Sequence, residues 1–381
     1  MGRAAAVRAG VGWAAAAVIG AVAASAPGQS AGSGAEPAQH ETPADELVDV
    51  VAFGSCFNVQ RSHAVWDAVL DEKPDVFVML GDNVYADTVD ADLLRAHFAK
   101  LDAVAGFSQL RERATLMATW DDHDYGLNDM GGEHPNKSAC QEVFLDWAGE
   151  PEGSERRETP GVYTARMFGP EGRRVQVIVL DTRTFRSPLA ELPESERGDP
   201  AGGVRGPYAP TRDRGATVLG EEQWAWLGER LREPARVRLV ASSIQVVAED
   251  HRFESWSNFP AERERLFELI RETGAEGVVF LSGDRHLAEL SRLDPDRGDP
   301  ARFSDVGYPL YDLTSSSLNV PLGWRNEINR HRVGSPYFGP NYGVVEINWL
   351  EAEPTVVLNI RDEMGGTVIR RSAPIGVLRA R

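Results

Sequence analysis

Two stretches of this sequence run from apolar residues into the dipeptide Gly-Asp. They are "VFVMLGDNVYAD", Val76 to Asp87, and "VVFLSGDRHLAEL", Val278 to Leu290. The first follows its aspartate, Asp82, with Tyr85; the second follows Asp284 with Arg285 and His286. Three further apolar runs end in side chains with chemistry of their own. "GSC" gives Cys56, "WDDHDYGLND" gives Asp121, Asp122, His123, Asp124, Asn128 and Asp129, and "DTR" gives Asp181 and Arg183. Carboxylate, phenol, thiol and imidazole are all metal-binding groups, and one carboxylate can bridge two cations. Brought together, they form a dense anionic site. Such groups stay ionised in a dry interior only if metal ions neutralise them.

Taken singly, each group has an ordinary reading. Gly-Asp after a strand is usually a turn, and a lone buried cysteine is a small hydrophobe. Cys56 and Cys140, the chain's two cysteines, form a disulfide in the alternative reading for an exported protein. His123 alone suits a satisfied core position, and Asp122 or Asp124 suits a helix cap. Asp181 and Arg183 read as an ion pair, and Arg285 as a surface salt bridge. The groups point to a site by their order, because each follows a strand. Open α/β sheets place their sites outside the carboxyl ends of strands.

The elements that must position these residues are legible as alternating apolar runs and helical patterns. Strands are predicted at 48–53, 75–80, 115–120, 175–180, 237–242, 277–281, 310–315, 344–348, 355–360 and 367–371. Several are continuous β-branched runs, as expected of strands buried on both faces. Helices are predicted over 62–70, 91–101, 220–232 and 260–273, the last with Pro260 in its first turn and Gly274 at its stop. A hairpin is expected around "EMGG". The alternation followed by a terminal meander predicts an α/β layered sandwich. Two long loops, about 182–219 and 316–340, are of the length that is usually functional or disordered.

Bulk properties narrow the partners. A net charge of -18, from 58 acidic against 40 basic residues, argues against a nucleic-acid-binding surface and against anionic membranes. Residues 1–26, with Arg3 and Arg8 before an apolar stretch ending in "ASA", read as a signal peptide and imply an exported protein. The apolar part is too short for a stable membrane span. Residues 27–46 read as a disordered tether.

At this point the sequence resembles the alkaline phosphatase D (PhoD-type) phosphatases, a branch of the calcineurin-like metallophosphoesterases. The resemblance is carried by "FGSCFN", "MLGDNVYAD", "TWDDHDYGLND", "LGEEQWAWL", "SSIQVVAEDHRFESWSNFPAERERL", "LSGDRHLAEL" and "LTSSSLN". It implies a metallophosphoesterase-type αββα sandwich of two mixed sheets, with one catalytic domain over 47–381. It implies Fe3+ held by Cys56, Asp82, Tyr85 and His286, with one or two Ca2+ held by Asp82, Asp284 and either Asp122 or Asn128. Phenolate and thiolate suit iron, and hard oxygens suit calcium. The implied reaction is hydrolysis of a small phosphate ester by a metal-bound hydroxide. His123 would contact phosphate or protonate the leaving group, and Arg285 would clamp a phosphate oxygen. His251 is expected to support the site or a substrate loop from outside the ligand set. The alternatives are a phosphodiesterase acting on phospholipid or teichoic-acid-like polymers, and a non-catalytic metal-binding envelope protein. Larger relatives carry a β-rich domain before the catalytic one, whereas here a tether is expected before Val48. The sequence does not choose between monoester and diester, nor does it give the oligomeric state.

Overall fold

In the computed structural model, which describes residues 39–197, 205–295, 306–323 and 327–380, the apolar runs form strands. In chain order these are β1 (Val50–Gly54), β2 (Val76–Leu80), β3 (Thr115–Thr119), β4 (Thr164–Phe168), β5 (Val175–Val179), β6 (Ala190–Glu191), β7 (Tyr208–Ala209), β8 (Val237–Ser242), β9 (Val278–Ser282), β10 (Ala288–Leu293), β11 (Leu310–Ser315), β12 (Asn341–Asn348), β13 (Thr355–Asp362) and β14 (Thr367–Pro374). The helices are α1 (Val65–Glu72), α2 (Ala91–Asp102), α3 (Ala105–Arg111), α4 (Asp122–Tyr125), α5 (Lys137–Trp147), α6 (Gly220–Arg232) and α7 (Pro260–Thr273). The expected signal peptide and most of the expected tether lie outside the described residues. Among the described residues no helix is long and apolar enough to cross a membrane.

Two six-stranded sheets account for most strands, in the orders β14-β13-β12-β1-β2-β3 and β10-β11-β9-β8-β5-β4. β1, β2 and β3 run parallel, and the terminal meander β12–β14 joins β1 antiparallel. In the second sheet β5, β8, β9 and β11 are parallel, with antiparallel β4 and β10 at the edges. The expected pair of mixed sheets is therefore present. Alternate residues of one strand serve different cores. Phe53, Val78 and Leu80 pack with Val177, Leu239 and Val279. Ala52, Phe77 and Met79 instead meet Trp66, Phe98, Phe107 and Phe144 from α1, α2, α3 and α5. α7 packs on the second sheet, with the Phe267 and Phe280 rings 6.5 Å apart. Strands wanted by two cores lose the polar alternation of a half-exposed sheet, which is why they read as unbroken apolar runs.

Some elements were not anticipated. β4, "TARMF", is a mostly half-buried edge strand without a β-branched run. β10 follows the Gly-Asp-Arg-His turn directly and exists because β11 pairs with it. The short β6 and β7 pair with each other inside the long 182–219 loop. The second long loop is laid along β10 through bridges Ala288 to Tyr337 and Ser291 to Arg332.

One packing contact in the first sheet is especially tight. Gly343 in β12 is paired with Phe53 in β1, and an added Cβ there would lie 2.1 Å from the Phe53 ring. The ring is fully buried and cannot swing away. Gly343→Ala is expected to destabilise the protein by about 1–3 kcal/mol through overpacking. Chemical denaturation would read this as a lower midpoint, and an unchanged midpoint would contradict the packing described.

Candidate metal centre

The chain delivers its polar groups by turning sharply just past the strand ends. Cys56 (φ 61), Asp82 (φ 49), Asp284 (φ 68) and His286 (φ 54) all adopt the left-handed conformation. For a residue with a Cβ this costs roughly 1–2 kcal/mol each and persists only where surrounding structure imposes it. The two glycines of the Gly-Asp pairs serve differently. Gly81 itself is left-handed (φ 95), and a Cβ on it would sit 2.4 Å from the Asp121 Cβ. At Gly283 the need is close approach alone, because a Cβ there would lie 2.6 Å from the Ser55 hydroxyl.

These turns bring four donors together. The Cys56 thiol lies 3.4 Å from Asp82 Oδ2, the Tyr85 hydroxyl lies 3.4 Å from the same oxygen, and it is also 3.4 Å from His286 Nε2. A first-row metal bound about 2.1 Å from each donor would leave neighbouring donors roughly 3–3.4 Å apart, so the spacing fits one ion. His286 is oriented for the task. Its Nδ1 bonds the Val320 carbonyl at 2.5 Å, and its backbone N–H donates to Ser316 Oγ at 2.7 Å. That leaves Nε2 as the ligand nitrogen. Burial pushes His286 down to about 4, keeping the ring neutral. Burial and the neighbouring carboxylates push Cys56, Asp82 and Tyr85 upward. Burial thus favours the protonated forms, and a cation bound here would take the place of the protons.

Two further sets share the same edge. Atoms of Asp82, Asp122 and His123 lie within 4.8 Å of one another, as do atoms of Asp121, Asp122 and Asp284. Asp122 belongs to both, and its carboxyl is held low: burial opposes this, but Arg183, His123 and the Asp129 N–H outweigh it. Asn128, the other candidate, is exposed, and its amide donates to Asp129 at 2.7 Å. It follows α4 in a surface turn, whereas Asp122 opens that helix beneath the surface. Asp124 has a scaffold role that the sequence reading offered only as a helix cap. It accepts from the backbone N–H of Asp82, Asn83 and Asp121, stitching the Gly-Asp turn to the acidic run. Burial raises Asp124 to about 8 despite these donors.

Counter-charges lie beneath the cluster. Arg183 donates from Nε to Asp121 at 2.7 Å and from Nη1 to Glu254 at 2.7 Å, and Arg186 reaches Glu254 at 2.8 Å. All four side chains are at most 1% exposed. The expected Asp181–Arg183 ion pair is thus replaced. Asp181 instead accepts from the backbone N–H of Arg183 and Thr184, closing its own loop. The alternative disulfide is absent: Cys56 and Cys140 are both free and buried. Arg285 is no surface residue either. It stacks 3.9 Å above the Phe253 ring and donates to Glu327 at 2.8 Å, with Asp284 at 3.5 Å. His251 is buried, and its Nδ1 accepts the Phe253 N–H at 3.1 Å beneath that stack. Glu254, Glu327, Ser243 and Asp87 were not singled out from sequence: the first, third and fourth lie within the quoted motifs, but nothing local ties any of them to its distant partner.

Removing one partner from a buried ion pair leaves a lone charge. Arg183→Met is expected to cost about 3–5 kcal/mol by denaturation, and a loss under 1 kcal/mol would contradict the network. Chelation should be pH-dependent. Asp121 is raised to about 6 and Asp124 to about 8, chiefly by burial, and Asp82 and Asp284 are raised for the same first reason. A carboxyl with a raised folded pKa costs stability as pH climbs past its unfolded value, until the folded pKa is passed. The stripped protein should therefore lose stability between about pH 4 and about pH 8. Thermal melts should show a larger chelator-induced drop in Tm at the upper end of that range, and equal drops would contradict the reading.

Comparison with known proteins places this geometry. Residues 51–332 match the sequence model of the PhoD-like phosphatases. Alkaline phosphatase D of Bacillus subtilis (strain 168) is 24% identical over 283 residues, covering 64% of this chain and 47% of that protein. The chain thus spans about half the length of this curated relative. A solved structure of PhoD superposes with a TM-score of 0.63 at 18% identity, covering 88% of this chain and 73% of its own. Purple acid phosphatase PPD1 from yellow lupin (Lupinus luteus) seeds gives 0.55 at 11% identity, covering 87% of this chain and 55% of its own. At these identities the structures speak for the fold alone. The family match spans most of the chain and covers the turns that build the cluster, and on that ground the chain belongs to the PhoD-like phosphatase family.

Proposed function

We propose that the protein is a metal-dependent phosphoesterase that hydrolyses small phosphate esters. The observation that carries this is the convergence of Cys56, Asp82, Tyr85 and His286 beside a carboxylate pair, Asp122 and Asp284, where the ends of β1, β2 and β3 of one sheet meet the end of β9 of the other. A thiol, a phenol and an imidazole suit Fe3+, with Cys56, Asp82, Tyr85 and His286 as its ligands. Asp82, Asp122 and Asp284 offer only hard oxygens and suit Ca2+. Bound there, such cations would supply Lewis-acid activation of water and of the phosphoryl group.

The chain's own groups supply the rest. Tyr85 and His286 bound one side of the donor set; the His286 ring is held by the Val320 carbonyl and its backbone N–H by Ser316. Arg183 and Arg186 hold the acidic run in place from below, with Glu254 between them. Arg285, pinned by Phe253 and Glu327, balances Asp284 and is the cation of the site that can meet a phosphate oxygen. His123 borders Asp82 and Asp122 and serves the leaving group. Its ring carries a proton: burial opposes this, but the hydrogen bond to Asp87 and the nearby carboxylates raise it to about 10. The signal-peptide reading of residues 1–26 adds that the enzyme acts outside the cytoplasm.

The test is a metal analysis joined to an assay. The purified chain is expected to contain iron and calcium by mass spectrometry and to hydrolyse aryl phosphate monoesters or diesters, with activity lost on chelation. Absence of both metals together with inactivity on both ester types would sink the proposal. Cys56→Ser and Tyr85→Phe should each lower iron content about tenfold or more. The Tyr85 variant should also lose any tyrosinate-to-iron colour, and retained colour would remove Tyr85 from the ligand set.

A further inference from the structure

The Cys56 sulfur has two polar neighbours outside the candidate ligand set. The hydroxyls of Ser55 and Ser316 each lie 3.3 Å from it, and both serines are at most 1% exposed. They arrive from different sheets. Ser55 directly follows β1 and Ser316 directly follows β11. The Leu318 N–H ties the two segments together by donating to the Ser55 carbonyl at 2.9 Å. The Ser55 hydroxyl fits because residue 283 has no Cβ, which would otherwise lie 2.6 Å from it.

The direction of these contacts follows from proton counting. A hydroxyl has one proton to give and two lone pairs to receive with. Ser316 Oγ receives the backbone N–H of His286 at 2.7 Å, and its remaining partner among the described residues is the sulfur. A metal-bound sulfur carries no proton, so the proton between the two is the serine's. Ser55 Oγ has one other neighbour, the Ser315 carbonyl at 3.4 Å, which can only accept. Of a neutral carbonyl and a charged sulfur, the charged acceptor takes the stronger hydrogen bond. Asp82 and Tyr85 also border the sulfur, but as fellow ligands. Among the described residues no backbone N–H donates to it, so the two hydroxyls are its donors from outside the ligand set.

We propose that Ser55 and Ser316 are positioning residues that act through Cys56: their hydroxyls donate to its sulfur and limit how strongly it gives electrons to the bound iron. This rests on the Fe3+ assignment made under the proposed function. Hydrogen bonds to a thiolate draw charge back onto the sulfur, and they are one of the means by which a protein sets the potential of a sulfur-ligated metal. A thiolate and a phenolate on one ferric ion would otherwise blunt its Lewis acidity. With the two hydroxyls in place the ion keeps more of its positive character. Serines that only filled space, or only held the His286 turn, would leave the iron–sulfur bond unchanged.

The iron–sulfur bond is therefore what the experiment reads. The full chain is isolated with its iron as the parent and as Ser55→Ala, Ser316→Ala, the double variant and Ser316→Thr. Resonance Raman separates the Fe–S stretch from tyrosinate ring modes, and a redox titration gives the Fe3+/Fe2+ midpoint. Each alanine variant is expected to raise the Fe–S frequency, to move the thiolate-to-iron absorption to longer wavelength and to lower the midpoint potential. The double variant should shift further than either alone, and Ser316→Thr, which keeps the hydroxyl, should return the parent values. Transfer to D2O should shift the Fe–S stretch of the parent but not of the double variant. Ser316→Ala also removes the acceptor of the His286 N–H, so if that variant loses iron, Ser55→Ala decides. Iron retained with an unmoved stretch and potential would overturn the proposal and leave the iron site standing. Loss of iron in both alanine variants would overturn it too, because the hydroxyls would then build the site rather than tune it. A parent chain with no iron, or with iron and no Fe–S mode, would overturn the Cys56 ligand assignment as well.

Discussion

The structure depends on confining a surplus of negative charge to one buried edge. Asp82, Asp121, Asp122 and Asp124 are all at most 3% exposed, and Cys56 is fully buried among them. A buried carboxylate left unpaired costs several kcal/mol, against a total folding stability of roughly 5–15 kcal/mol. The fold meets this demand in three ways. Asp124 is satisfied by backbone N–H donors. Asp121 is satisfied by Arg183 and by the Ser243 hydroxyl at 2.6 Å. Asp82 and Asp284 are less well provided for, Asp284 having Arg285 at 3.5 Å, and burial pushes both carboxyls well above the usual carboxylate range. Where the protein's own donors stop, the place for metal ions begins.

The same constraint explains where strain collects. Among the described residues, nine non-glycine residues have positive φ, and four of these are the candidate ligands Cys56, Asp82, Asp284 and His286. Two more, Asp87 and Asp129, bond residues of the site directly. A strand that ended in an ordinary extended exit would carry these side chains past the edge instead of across it. The rigid parallel strands, buried in two cores, hold the turns in conformations that isolated peptides would leave. Stability made in the aromatic and aliphatic layers thus supports geometry that is locally unfavourable.

Much of this was legible one strand at a time. β2, β9 and α7 announce themselves through unbroken apolar runs or through Pro260 and Gly274 at the helix ends, and the polar residues past each strand are visible in order. β4 and β10 were not legible, because an edge strand can form by pairing without a strong signal of its own. The network of Arg183, Glu254 and Arg186 was not legible either, since the two arginines follow β5 whereas Glu254 comes from the loop after β8, and none has a distinctive spacing. Asp87 lay inside a stretch that drew attention for Asp82 and Tyr85, yet nothing in the sequence tied it to His123, 36 residues further on.

The sequence by itself determined the chemical inventory and its order. Thiol, carboxylate, phenol and imidazole each follow a strand, because hydrophobic periodicity is a local property and the residues after it are simply read off. Tertiary structure alone decided which groups meet. It set Asp122 in the cluster and left Asn128 at the surface. It turned Arg183 from Asp181 to Asp121, and it kept Cys56 free of Cys140. Those choices depend on strand order, on left-handed turns and on burial from both sheets. They are sums over contacts between distant residues, which no local pattern in the chain encodes.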